Sequence, residues 1–377
     1  MRAWLFQDHR QKKNLGDNAP WSVGWVDPEG KRRSKTIGSK SRAEKYARKK
    51  EGELAAGTYE SQSRKPWGDF RKEYECRLLA LMPPQTRQAV IQSLKKFQEI
   101  VKPVKVAALR TSTIDDFVAK RRQQRGRKPG SLVSPATINK DLRHVKAALR
   151  VAADWGYLSK VPKVRMVKEP KKLPRYVLPE HFAAIYKACD VATKPGGQQY
   201  TAADWWRGML MFGYMTGWRI SEIAASLKWD DVSLDKGHAI TRHADNKGNR
   251  DERVPLHPVV VEHLRKLVDF GPMVFPWPHG RRVLYDEFAR IQDATGIDLP
   301  CPEKHEHTDA CHRYGFHDIR RAFATMNADR LTGDALQALM RHKSYTTTQR
   351  YIAMARQLDQ VVGKLYVPNL EPNTVEG

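Results

Sequence analysis

The 377 residues carry 67 Lys and Arg against 42 Asp and Glu, a formal charge of +25, with 40% apolar and 9% aromatic residues. That composition excludes a disordered polyelectrolyte, because enough apolar side chains are present to fill the cores of two or three domains. It also argues against a membrane-spanning or disulfide-built secreted chain: no run of eighteen apolar residues occurs, the segment beginning Met1-Arg-Ala-Trp-Leu-Phe-Gln-Asp turns polar at once, and four cysteines are too few for a covalent framework at this length.

What remains is a soluble cytoplasmic protein with a polyanionic partner, and nucleic acid is the usual one. The charge is unevenly placed. Residues 61–172 hold 27 basic and 9 acidic side chains, residues 1–60 hold 14 and 8, and residues 173–377 hold 26 and 25. Bulk attraction therefore belongs to the middle of the chain, whereas the C-terminal half must act by placing charges. A basic surface serving solubility alone is the weaker alternative.

In chain order, Trp21-Ser-Val-Gly-Trp-Val alternates as a strand, Asp27-Pro-Glu-Gly reads as a turn, and extension resumes from Arg33. A helix follows from an N-cap at Ser41 to Leu54. This small unit closes at Gly57, and residues 61–66 read as a polar linker. From Trp67 to Tyr157 the period is helical: Phe70, Tyr74 and Leu78 keep one face, as do Val90, Leu94 and Phe97. Ile114, Phe117 and Val118 begin another helix. Ser134-Pro-Ala-Thr opens a long one with Ile138, Leu142, Val145, Leu149 and Ala152 inward and Lys and Arg outward. Cys76 and Cys189 sit in helical patterns and read as small core residues. The run from Arg121 to Lys128 suits a phosphate-contacting edge or a solvated loop. Residues 158–174, basic and punctuated by prolines, read as an extended linker able to track phosphates between domains. The remainder is helical apart from a hairpin, Ala239-Ile-Thr-Arg and Arg253-Val-Pro-Leu, turning at Asp245-Asn-Lys-Gly-Asn. Trp205, Trp206, Trp218 and Trp229 read as core.

One reaction fits a set of residues in that last domain. Arg219 lies in Thr216-Gly-Trp-Arg-Ile-Ser-Glu-Ile, and Lys247 at the hairpin tip. His317 and Arg320 lie i, i+3 in Gly315-Phe-His-Asp-Ile-Arg-Arg, and His342 and Tyr351 in Met340-Arg-His-Lys-Ser-Tyr-Thr-Thr-Thr-Gln-Arg-Tyr. Phosphoryl transfer places charge on non-bridging oxygens, so the protein's task is positioning and charge stabilisation. Guanidinium groups suit this, being permanently charged planar forks. A phenol with an ordinary pKa of about 10 needs a base or cationic field to attack at neutral pH. The leaving sugar oxygen needs a proton, which a hairpin lysine can supply. An aryl phosphodiester conserves the energy of the broken bond, so the chemistry requires neither a nucleotide triphosphate nor a metal. Taken singly, each of these residues is more often structural.

Taken together and in this order, they resemble the tyrosine recombinase (phage integrase) family of DNA breaking and rejoining enzymes. The match includes Thr-Gly-x-Arg-Ile-Ser-Glu at 216–222, Lys-Gly-Asn-x-x-x-Arg-Val-Pro-Leu at 247–256 and His-x-x-Arg at 317–320. His342 follows Arg320 by 22 residues and Tyr351 follows His342 by nine. The resemblance implies that Arg219 and Arg320 bind the scissile phosphate, Lys247 is general acid for the 5′-hydroxyl, His317 is an acid/base near the nucleophile, His342 bonds the phosphate, and Tyr351 forms a 3′-phosphotyrosine link. Glu222 resembles the family's buried acidic residue, which orients its neighbours. Ser134-Pro-Ala-Thr-Ile-Asn and Ala148-Leu-Arg-Val-Ala-Ala-Asp-Trp-Gly-Tyr-Leu are similar to the family's core-binding domain, and residues 20–55, more loosely, to the arm-binding module of some integrases.

The resemblance implies a mainly α fold with small β elements: a β-rich arm-type module over 1–60, a helical, SAM-like core-binding domain over 61–160, a basic linker over 161–176 and a catalytic domain with its C-terminal tail over 177–377. It also implies recombination sites in double-stranded DNA as partner, a tetrameric synapse of this chain, accessory DNA-bending or directionality factors, no membrane, and a nucleoid-associated cytoplasmic location. Arg341 departs from the pattern, standing where the family usually has glycine. So does the insert Cys301-Pro-Glu-Lys-His-Glu-His-Thr-Asp-Ala-Cys-His, whose thiols and imidazoles suit a structural zinc held by Cys301, His305, His307 and Cys311, with His312 able to replace either histidine. A polar loop with incidental cysteines is the alternative. Two rival functions use the same residues or scaffold: relaxation of supercoils by a type IB topoisomerase, and a catalytically inactive DNA-binding regulator.

Overall fold

In a computed structural model, described over residues 3–28, 30–56, 65–170, 175–243, 250–302 and 305–355, the N-terminal alternation becomes an antiparallel sheet. Its strands β1 (Ala3–Gln7), β2 (Trp21–Val26) and β3 (Arg32–Gly38) lie in that order. A short helix, α1 (His9–Leu15), links the first two and starts at Asp8, whose carboxylate accepts the Arg10 and Gln11 N–H groups. Val23 and Trp25 of β2 pack with Ala43, Ala47 and Leu54 of helix α2 (Lys40–Ala55). That helix is preceded by Ser39, two residues before the serine the sequence suggests. Strand β1 escapes sequence reading because Ala-Trp-Leu-Phe-Gln does not alternate. Gly24 opposite it leaves room for the Trp4 indole, which a Cβ there would displace.

The chain divides into two units, Met1–Glu169 and Pro170–Gly377. Within the first, helices α3 (Trp67–Arg77), α4 (Pro84–Val101), α5 (Thr111–Arg122) and α6 (Pro135–Asp154) share one apolar core. Ser134 caps α6 by accepting the Thr137 N–H, and the stripe Ile138, Leu142, Val145, Leu149, Ala152 is fully buried. A polar network also lies inside. Buried Asp141 accepts from Ser93 at 2.8 Å and from Arg121 Nε at 3.1 Å, and Ser93 meets His144 at 2.9 Å. Arg121 is thus tied into the bundle, while Arg122, Arg125 and Arg127 stand exposed. Cys76 is exposed, contrary to its reading as core, whereas Cys189 is buried. Residues 161–170 form neither helix nor strand, but they do not hang free. Val161, Val164 and Val167 pack on the bundle, and Asn139 holds both the N–H and the C=O of Val167 at 2.8 Å.

The second unit contains helices α7 (Pro179–Lys187), α8 (Ala202–Thr216), α9 (Ile220–Ser226), α10 (Pro258–Arg265), α11 (Arg281–Asp293), α12 (Phe316–Asn327), α13 (Gly333–Met340) and α14 (Tyr345–Ala355). A second antiparallel sheet, β4 (Val232–Ser233), β5 (His238–Thr241) and β6 (Glu252–Pro255), contains the expected hairpin. Trp205, Trp206 and Trp218 are buried in the core and Trp229 packs against it half-buried. The fold is mainly helical with two small sheets. Among the described residues no helix is long and apolar enough to cross a membrane.

Candidate active site

The site is assembled where α8, α12 and the α13–α14 corner meet. Helix α8 ends at Thr216, whose buried hydroxyl donates to Phe212 C=O at 2.6 Å and accepts the Trp218 N–H at 3.3 Å. The next residue, Gly217, has φ +64°, and a Cβ on it would lie 2.6 Å from Phe323 Cδ1. Only glycine fits this turn, which delivers Arg219 to the start of α9. Glu222 then closes a capping box, accepting the Arg219 N–H at 3.2 Å and Arg219 Nη1 at 2.7 Å. Burial alone would push the Glu222 carboxyl up, but Arg341 and Arg219 beside it hold it below its ordinary value.

Helix α12 carries the second box. Asp318 accepts the Gly315 N–H at 2.8 Å and fixes its start, and the helical period sets His317 and Arg320 on one face. Arg320 is 2% exposed and its guanidinium donates to two carbonyls, of Gly217 and, at 2.6 Å, of Met340. No carboxylate pairs with it directly among the described residues. Burial, with Arg219 and Arg341 nearby, pushes it down to about 9, so it remains a cation at neutral pH. His317 lies at the surface, but the surrounding protein together with Arg321 and Arg320 lowers its imidazole.

The third box is the α13–α14 corner. Arg341 ends α13 in the left-handed conformation, φ +53°. It is buried, lies 4.5 Å over the Trp218 ring and donates Nη2 to Glu222 at 2.5 Å. Among the described residues its Nε and Nη1 have no hydrogen-bond partner, although Glu252 Oε2 lies 4.0 Å from Nε. The left-handed backbone explains why glycine is usual here in the family that the sequence resembles. His342 meets buried Thr348 at 3.0 Å through Nδ1, and burial followed by Arg320 and Arg219 pushes it down to about 4. The imidazole is therefore neutral at pH 7. Its ring stacks on Tyr351 with centroids 5.8 Å apart and 12° between planes, and Tyr351 sits within electrostatic reach of Arg320.

Arg219, Glu222, Arg320, His342 and Tyr351 are thus brought into one neighbourhood with His317 at its rim. Lys247 lies outside the described residues. Two participants were not read from the sequence: Thr348, hidden in a run of three threonines, and Arg341, whose part in neutralising Glu222 depends on a contact across 119 positions. Apart from this cluster, ligand atoms of Cys301, His305, His307 and Cys311 all lie within 4.8 Å of one another.

Residues 176–357 match the phage integrase family. This domain belongs to the tyrosine recombinases. The whole chain is similar in fold to solved members. A lambda integrase dimer bound to a COC′ core site matches with a TM-score of 0.58 at 17% identity, over 94% of this chain and 95% of that one. The Tn1549 transposon integrase in complex with transposon right end DNA matches at 0.58 and 14% identity, over 78% and 98%. XerH site-specific recombinase bound to a palindromic difH substrate matches at 0.55 and 18%, over 85% and 89%. No curated protein matches the chain by sequence.

Proposed function

We propose that this tyrosine recombinase is a site-specific integrase that breaks and rejoins double-stranded DNA through a 3′-phosphotyrosine intermediate. The observation that carries the reading is Arg320: a buried guanidinium held by two carbonyls, with no carboxylate of its own among the described residues, beside Tyr351. A cation kept without a direct counter-ion is prepared for an anion that arrives with the substrate. Arg219 supplies the second fork on the scissile phosphate. Tyr351 Oη attacks phosphorus, giving up its proton toward His317, and Lys247 protonates the departing 5′-oxygen. Neutral His342 donates a hydrogen bond to a non-bridging oxygen, its tautomer set by Thr348. Glu222 holds Arg219 in place. A 5′-hydroxyl from another strand then displaces the phenol, and the phosphodiester is restored without a nucleotide triphosphate or catalytic metal.

Lambda integrase has been solved as a tetramer bound to a Holliday junction. The same assembly, four protomers on two recombination sites, is the one this chain would use, with the basic helical bundle gripping the duplex. The test is a nicked suicide duplex built from the sequences flanking the gene, with no metal added. Wild type should accumulate a covalent protein–DNA adduct, and Tyr351→Phe should form none while retarding the duplex equally well in a gel. An adduct that survives Tyr351→Phe overturns the assignment. Relaxation of supercoiled plasmid without paired sites would favour the topoisomerase reading instead.

A further inference from the structure

We propose that Cys301, His305, His307 and Cys311 bind one structural Zn²⁺ that fastens the insert preceding α12. The insert has no apolar core to hold it: none of its described residues from 301 to 312 belongs to a buried hydrophobic cluster. A segment with no core of its own needs a staple. The geometry is that of a ligand shell. Around a tetrahedral zinc, with Zn–S about 2.3 Å and Zn–N about 2.0 Å, sulfur and nitrogen ligands stand about 3.5 Å apart. His305 Nε2 lies 3.4 Å from Cys301 Sγ and 3.6 Å from Cys311 Sγ. All four ligand atoms fall within 4.8 Å of each other.

The surroundings support the same assignment. His305 Nδ1 faces the Glu306 carbonyl at 2.6 Å, which fixes the tautomer with a proton on Nδ1 and leaves the Nε2 lone pair aimed between the two sulfurs. Histidines that ligate metals are oriented in this way. Thr308 Oγ1 lies 3.7 Å from Cys311 Sγ and can donate to a thiolate. The His307 ring stacks beside His305 at 4.7 Å. His312 stands next to the cluster, its ring 5.6 Å from that of His307 and its Nδ1 on Leu299 C=O at 2.8 Å and Asp298 at 2.9 Å, but the four converging ligand atoms belong to Cys301, His305, His307 and Cys311. Two thiolates and two neutral imidazoles leave the zinc site without net charge.

What the ion would fasten is the approach to the HxxR helix. Below the cluster, Leu299 N–H donates to His312 C=O at 3.0 Å, Arg175 reaches the carbonyls of Cys311 and Arg313, and Arg313 forks onto Asp293 at 2.5 and 2.8 Å. Tyr314 is then pinned by Gln292, and α12 begins at Phe316. A metal at 301–311 makes this base a closed loop instead of an open end.

The full-length protein, purified without chelator, should contain one zinc per chain by elemental analysis. After chelation, Co²⁺ should restore the intense visible bands of a tetrahedral site together with thiolate-to-cobalt charge transfer. Cys301→Ser and Cys311→Ser should each weaken metal binding at least tenfold, while His312→Gln should leave it unchanged. Should the cysteine variants fail to fold, chelated wild type still decides: added Zn²⁺ must raise its melting temperature. Zinc-free protein after equilibration with the metal, a weak octahedral cobalt spectrum, or a Cys301–Cys311 disulfide in protein kept from air would each overturn the site.

Discussion

The helical bundle of the first unit and the site of the second handle charge in opposite ways. In the bundle, cations such as Lys120, Arg122, Arg143 and Arg150 stand exposed around an apolar core, and residues 61–172 carry three times as many bases as acids. In the site, Arg320 and Arg341 are buried within a half-chain that is nearly neutral. A solvated cation contributes a little attraction wherever it sits, so number matters and position does not. A buried cation has lost its hydration and acts on one point, so its partners decide everything. The difference teaches that net charge points to where a polyanion would be gripped, while chemistry has to be sought where charge is scarce and inside.

The sharpest way to break that comparison is to remove one cation from each region. Arg320→Ala should lower cleavage of pre-bound suicide DNA by a factor on the order of 10³, as loss of a main transition-state donor does. Arg150→Ala or Arg143→Ala should leave cleavage of bound DNA unchanged and reduce the slope of log K against log salt by about one each. Equal effects on both measurements from both kinds of variant would erase the distinction.

Next in size is the carboxylate that holds the buried cations. Glu222→Gln leaves Arg219 without its carboxylate and Arg341 with only Glu252, whose Oε2 lies 4.0 Å from its Nε, and thermal or denaturant melts should report a loss of about 3–5 kcal/mol. A loss below 1 kcal/mol would mean that water already screens these groups and that the cluster is not a desolvated one.

Acid should act on both regions, since burial also lowers His144 of the bundle, and most strongly on the site. The His342 imidazole is pushed from 6.5 down to about 4 and that of His317 is lowered too, so the unfolded chain takes up protons first as pH falls. Stability contributed by the neutral rings is full above pH 6.5 and is lost as pH drops toward 4; Glu222, also lowered, adds a loss of the same sign below 4.5. Melting temperatures measured from pH 7 to pH 4.5 should fall, and His342→Gln should flatten that fall. An unchanged slope in the variant would place the acid sensitivity elsewhere.

How much of this was legible in the sequence follows the range of the interactions. The buried stripe of α6, its Ser134 cap and the hairpin strands are local, and their periods are visible in the residues themselves. The site boxes are short segments whose spelling is set by local geometry: Gly217 by a left-handed turn against Phe323, Asp318 by the cap of α12. The insert's donor pattern was also visible, although which two of its three histidines converge on the cysteines depends on how the loop folds. Contacts between distant segments were not legible. The tie of Asp141 to Arg121 and Ser93, the docking of Val161, Val164 and Val167, and the exposure of Cys76 depend on which helix face meets which neighbour. No period in one segment contains that information.

Arg341 is where local and distant demands conflict. Its backbone needs a left-handed residue, a conformation that costs an L side chain roughly 1 kcal/mol relative to glycine, and its side chain serves Glu222 and Trp218 across the site. Replacing it separates the two. Arg341→Gly and Arg341→Ala lose the same guanidinium, but only glycine relieves the backbone. The glycine variant should therefore melt about 2–4 °C above the alanine variant, as about 1 kcal/mol predicts for a unit of this size, with both losing cleavage activity to a similar degree. If alanine proves as stable as glycine, φ at this corner is not what makes glycine usual there. If both variants keep wild-type activity, Glu222 needs only Arg219, and the second cation is an addition that the chemistry does not use.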